Sequence, residues 1–112
     1  MDRILKRHDT AVMPRAKFLD EDGAAVDLTG ATVVYTLREW VSKRVKILRQ
    51  TATVRDQVLY LGEVYYPWMP TDVNTAGDYE EEWEITYSGG SKESFPVGTR
   101  QKVRIEADYD NT

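Results

Sequence analysis

Counted in twos from Tyr79, the chain places Tyr79, Glu81, Trp83, Ile85 and Tyr87 on one side and Glu80, Glu82, Glu84 and Thr86 on the other. Only an extended strand turns alternate residues to opposite faces, so the stretch predicts a β-strand with one apolar and one solvated face. Glu81 alone breaks the pattern, because it shares a face with Tyr79, Trp83 and Ile85. An unpaired buried charge costs several kcal/mol. Glu81 is therefore expected to pair with an arginine, take backbone amides, reach the sheet edge or contact another subunit.

The same period recurs elsewhere. Val103, Ile105 and Ala107 alternate with Lys102, Arg104 and Glu106, and Val33, Tyr35 and Leu37 alternate with Val34, Thr36 and Arg38. Glutamates 80, 82 and 84 are expected to face Lys102 and Arg104 across the sheet. Val12–Leu19, broken by Pro14, suits an edge strand. Val45–Leu48 and Thr51–Val54 suit a short strand or hairpin, and Val64, Tyr66 and Trp68 continue the alternation. No segment carries a 3.6-residue period. Turn signals at Asp22-Gly23, Thr29-Gly30, Pro70 to Gly77, Gly89-Gly90 and Pro96 to Gly98 separate these runs. The expectation is an all-β, immunoglobulin-like antiparallel sandwich of about seven short strands. Asp72, Gly77 and Tyr79 stand in the order of a tyrosine corner, in which a tyrosine hydroxyl bonds back to upstream backbone. The chain reads as one domain, 1–112, with loosely held ends at about 1–10 and 108–112.

The absence of cysteine from the 112 residues excludes disulfides, thiolate catalysis and cysteine zinc sites. No apolar run approaches the roughly 20 residues of a membrane helix, and the opening MDRILKRHDT lacks the apolar core of a secretory signal. Charge is segregated along the chain: residues 38–55 hold six cations and one anion, residues 56–97 nine anions and one cation. That division suits steering of a partner, or head-to-tail packing of copies, better than coating of nucleic acid.

His8, beside Asp9, is the only histidine, and no arrangement with Ser42, Ser88, Ser91 or Ser94 suggests a triad. Asp20, Asp22 and Gly23 resemble the start of a calcium loop, yet their flanks read as strands, and a β-turn is the expectation. The basic run from 38 to 50 offers Trp40, Lys43, Arg44 and Lys46 as candidate interface residues. An isoelectric point near 5.0 disfavours nucleic acid. Tyr65 and Trp68, with Tyr60 and Tyr66, could serve carbohydrate stacking or protein contact as well as core packing. No catalytic residue, metal ligand or cofactor is expected.

Five stretches carry a family resemblance: HDT at 8–10, GAAVDLTGATVVYTLR at 23–38, EVYYPW at 63–68, TAGDYEEEWEITY at 75–87 and SFPVGTRQKVRIEAD at 94–108. Together they resemble the N-terminal immunoglobulin-like domain of phage baseplate upper proteins. The resemblance implies a non-enzymatic assembly module of a tailed-phage virion, located in tail, baseplate or neck. It would contact other virion proteins, form a homo-oligomer in the particle, and engage neither nucleic acid nor a membrane. Asp27, Leu28, Thr29 and Gly30 would form the family's structural turn, and Gly77 and Tyr79 its corner. A capsid decoration or head–tail connector subunit and a carbohydrate-binding module stand as alternatives.

Overall fold

The computed structural model describes residues 3–8, 13–95 and 101–106. Nine strands run through them: β1 (Arg3–Lys6), β2 (Arg15–Lys17), β3 (Thr32–Glu39), β4 (Val45–Thr51), β5 (Thr53–Val54), β6 (Glu63–Tyr65), β7 (Gly77–Thr86), β8 (Lys92–Phe95) and β9 (Gln101–Glu106). One 3-10 turn occupies Pro70–Val73. The larger sheet runs β1-β9-β7-β3-β4, and the smaller runs β2-β6-β5. The fold is an all-β sandwich of the immunoglobulin-like kind. One pairing is not antiparallel, because β1 runs parallel to β9.

The long alternating strand organises the larger sheet. β3 takes one whole edge of β7, with Thr32 opposite Thr86 and Glu39 opposite Tyr79. β8 and β9 therefore share the other edge. Trp83 faces Phe95 of β8 and Glu81 faces Gln101 of β9.

The inward residues make the core. Val33, Tyr35 and Leu37 of β3 and Tyr79, Trp83 and Ile85 of β7 are buried against Phe18, Val64, Tyr66 and Trp68 from the smaller-sheet side. Tyr35 stacks on Tyr66 at 4.9 Å and meets Trp83 edge-on at 4.7 Å, while Phe18 stacks on Phe95 at 4.7 Å. Offset and edge-on geometry is what aromatic quadrupoles favour, and each such pair adds about 0.5–1.5 kcal/mol to its area burial.

Three features depart from the sequence expectations. Residues 3–6, read as part of a loose segment, form β1, where Leu5 is buried. The stretch 45–54 is not a hairpin. Its two strands lie in different sheets, joined through Ala52, whose amide bonds the Val33 carbonyl at 2.8 Å. Within β4, Leu48 and Arg49 together oppose Thr36, which is a β-bulge; Arg49 takes φ +46° and donates its amide to the Thr36 hydroxyl at 3.2 Å. The bulge and the charges of Lys46 and Arg49 make this open sheet edge a poor template for pairing. The expectation of a loose C-terminal tail falls outside the described residues.

Candidate functional site

Glu81 is buried, with its side chain 1% exposed. Arg3 approaches it from β1 through Nε at 2.8 Å and a terminal nitrogen at 3.1 Å. The Tyr35 hydroxyl and the Trp83 indole N–H each donate at 3.0 Å. Four donors on two oxygens satisfy the carboxylate. The same terminal nitrogen of Arg3 donates to the Arg15 carbonyl in β2 at 2.5 Å, so the cluster ties the two sheets together. Burial, and then the neighbouring carboxylate, push the Tyr35 phenol well above its ordinary value, with Arg3 opposing. The carboxylate is committed within the chain.

The carboxylates on the other face of β7 have partners on the β3 side, and Glu80, which stands opposite Lys102 of β9 as expected, is buried rather than solvated. Glu80 accepts from Lys43 at 2.5 Å and Arg38 at 3.2 Å, Glu82 lies 3.7 Å from Arg38, and Glu84 accepts from Arg49 at 2.8 Å. Lys102 and Arg104 turn instead to Asp78, at 3.6 and 3.9 Å. The basic and acidic stretches of the sequence thus meet inside one molecule. The reason is register: antiparallel pairing sets Arg38 opposite Glu80, and the β3–β4 turn folds Lys43 over the same carboxylate.

The turn residues have specific geometry. Asp27 Oδ1 accepts from the Thr29 amide at 3.0 Å and its hydroxyl at 2.7 Å, which holds the Asp27 carboxyl below its usual range. Leu28 is buried, and Gly30 takes φ +76°. The Tyr79 hydroxyl donates to the Thr75 carbonyl at 2.8 Å, the bond of a tyrosine corner, just after Gly77 at φ +151°. In the run read as a β-turn, Asp20 Oδ1 caps the amides of Asp22 and Ala24 at 2.9 and 3.0 Å. Among the described residues no group of three or more His, Cys, Asp or Glu is placed to hold a metal ion.

The candidate interface residues do not form one patch. Trp40, Lys43 and Arg44 lie at the β3–β4 turn, where Lys102 sits 5.5 Å over the Trp40 ring. Lys46 donates to Asn74 at 2.7 Å. Trp68 is 4% exposed and belongs to the core, so it offers no surface for stacking. Tyr65 lies on the outer face of the small sheet, half-buried. His8 is exposed, with its amide on the Val73 carbonyl at 2.8 Å.

Among the described residues the most exposed apolar cluster is one of which sequence reasoning named only Tyr60. Between β5 and β6, Val58 is 92% and Leu59 71% exposed, with Tyr60 and Leu61 half-exposed beside them. This crown stands on a braced base. Gln57 Oε1 accepts from the Leu28 and Gly62 amides at 3.0 and 2.9 Å, and its Nε2 donates to the Arg55 carbonyl at 2.7 Å. Asp56 Oδ1 accepts from the Val58 amide at 2.8 Å. Gly62 closes the loop at φ +79°, where an added Cβ would lie 2.9 Å from the Phe18 carbonyl oxygen. The sequence signal was the four-residue apolar run before Gly62, which has neither helical nor strand period. Only the Gln57 brace distinguishes it from a core segment. A separate open recess of about 830 Å³ is bordered by Asp20, Glu21, Asp27 and Glu93.

No family model matches the chain, and no curated protein matches it significantly. Among solved structures it is similar to CopC from Methylosinus trichosporium OB3b, with a TM-score of 0.55 and 9% identity over 95% of this chain and 84% of that one. At that identity the likeness is one of fold. The expectation of a virion structural protein, whether in baseplate, tail, neck or head decoration, is corrected: the sandwich found to be similar is CopC, and no phage family model or curated phage protein matches. The physical reason is that the residues carrying the phage resemblance are turn and strand positions, which a sandwich demands whatever its role.

Proposed function

We propose that this domain is a binding module that engages another protein through the Val58–Leu61 crown. The observation that carries the reading is the combination of exposure and bracing. Two large aliphatic side chains stand almost fully in water on a loop whose base is fixed by Gln57 and Asp56. A loop fixed before contact loses little conformational entropy on binding, and exposed apolar side chains rimmed by polar groups are what protein contacts bury. Apolar side chains held outward in this way favour a partner with an apolar hollow to receive them.

A photoreactive residue introduced at Val58 or Leu59 tests the reading in cells that make the protein. The expected result is one discrete protein adduct common to both positions and missing from Val41, which is 88% exposed beyond the far end of β3. Equal labelling from 41 and 58, or none from 58 and 59, would remove the crown as the contact.

A further inference from the structure

The outer face of the small sheet forms a second surface, which meets the crown where Arg55 lies over Tyr60. Arg15 pairs in register with Tyr65, and Tyr65 with Thr53, so their side chains share one face. Two rungs along, on the same face, Lys17 stands opposite Glu63, and Arg55 donates its amide to the Glu63 carbonyl at 3.0 Å. Alternation sends Ala16, Val64 and Val54 inward toward the core. On the outer face a cleft of about 260 Å³ opens, walled by Met13, Arg15, Arg55, Glu63 and Tyr65.

Its charges divide into a satisfied pair and unsatisfied cations. Arg55 donates to Glu63 at 2.9 Å and lies 3.5 Å over the Tyr60 ring, so both charges of that pair are answered. Among the described residues the Arg15 guanidinium and the Lys17 ammonium have no acceptor. A chain of net charge −4 therefore presents two free cations on one small face, and one of them, Arg15, lines a cleft with an aromatic wall.

We propose that this cleft binds a small carboxylate carried on a single ring, with the carboxylate on Arg15 and the ring against Tyr65 and Met13. Arginine's planar fork matches a carboxylate through two parallel hydrogen bonds, which a lysine cannot offer. Tyrosine and methionine supply a flat, polarisable wall for a ring. The volume falls just below the 300–1,000 Å³ range of sites for larger ligands, which limits the occupant to about one ring. Lys17 contributes attraction over distance, screened by salt.

The test is an NMR titration of the full chain with benzoate, glucuronate, acetate and benzamide, followed at Arg15 Nε, the Tyr65 ring and the Met13 methyl. A ring acid is expected to shift all three, while acetate and benzamide need about tenfold higher concentrations to shift any. Tighter binding of benzoate assigns an apolar ring, and tighter binding of glucuronate an acidic sugar. Arg15→Gln is expected to weaken the ring acid about tenfold or more, and Tyr65→Ser to weaken it while leaving acetate unchanged. No shift at these residues with either ring acid, equal response to acetate, or an Arg15→Gln chain that binds unchanged would overturn the assignment.

Discussion

Arg3 and Glu81 show what a single residue can decide. Truncating Arg3 leaves a carboxylate buried without its cation, and such losses run to about 3–5 kcal/mol. Arg3→Ala is expected near the lower end, because its side chain is 22% exposed, and urea unfolding would measure it. A loss under 1 kcal/mol would mean that Tyr35 and Trp83 hold the charge without it. Tyr79→Phe removes only the bond to Thr75 and is expected to cost about 1 kcal/mol by the same assay. Tyr87 adds a pH dependence. Burial, and then the hydrogen bond to Glu93 at 2.7 Å, push its phenol up to about 12 from an ordinary 10.0. A phenol raised in the folded state contributes stability that is complete below pH 10.0 and lost as pH climbs toward about 12. Ultraviolet titration should therefore show Tyr87 ionising near 12, with Tyr87→Phe flattening the alkaline fall in stability. Glu81 was legible in the sequence as an anomaly on an apolar face. Its partner was not, because Arg3 lies 78 positions away and is brought there by the parallel β1–β9 pairing.

Elements were legible in proportion to how much of their stability is local. β7 and β3 announce themselves because eight or more residues alternate and most inward positions, Glu81 excepted, are filled by large apolar side chains. β1 and β8 have four residues apiece and owe their form to neighbours distant in sequence or to the hairpin that returns them. β4 hides its bulge because nothing in Leu48-Arg49 requires left-handed backbone. The crown loop was illegible for another reason: four apolar residues imply burial, and only Gln57 turns them outward. Gln57→Ala should release the Leu28 and Gly62 amides, whose acceptor it is, so that both exchange hydrogen at least about tenfold faster while β7 amides are unchanged. Unaltered exchange at those two amides would show that the loop needs no brace. Gly62→Ala should cost more than about 1 kcal/mol, because a positive φ and the close Phe18 carbonyl both oppose a side chain there.

Across the whole molecule, the charge segregation so prominent in the sequence is resolved internally, by Arg38, Lys43 and Arg49 lying against Glu80, Glu82 and Glu84. Much of the linear pattern thus reflects β3 pairing with β7, and Arg49 of β4 reaching across β3 to Glu84. The sandwich was legible for the same reason, since its alternation and turns are demanded by the fold, and CopC shares that fold at 9% identity. The proposed contact was not legible, because it consists of residues that break the pattern, Val58 and Leu59 above all. The account rests on that crown being a contact. Its most direct test is the affinity of the purified crosslinked partner for wild-type protein and for Val58→Ser/Leu59→Ser, compared by calorimetry beside a thermal melt. The account predicts affinity at least about tenfold weaker with an unchanged or higher melting temperature, since no core residue is touched. A folded double variant that binds as tightly as wild type would contradict it.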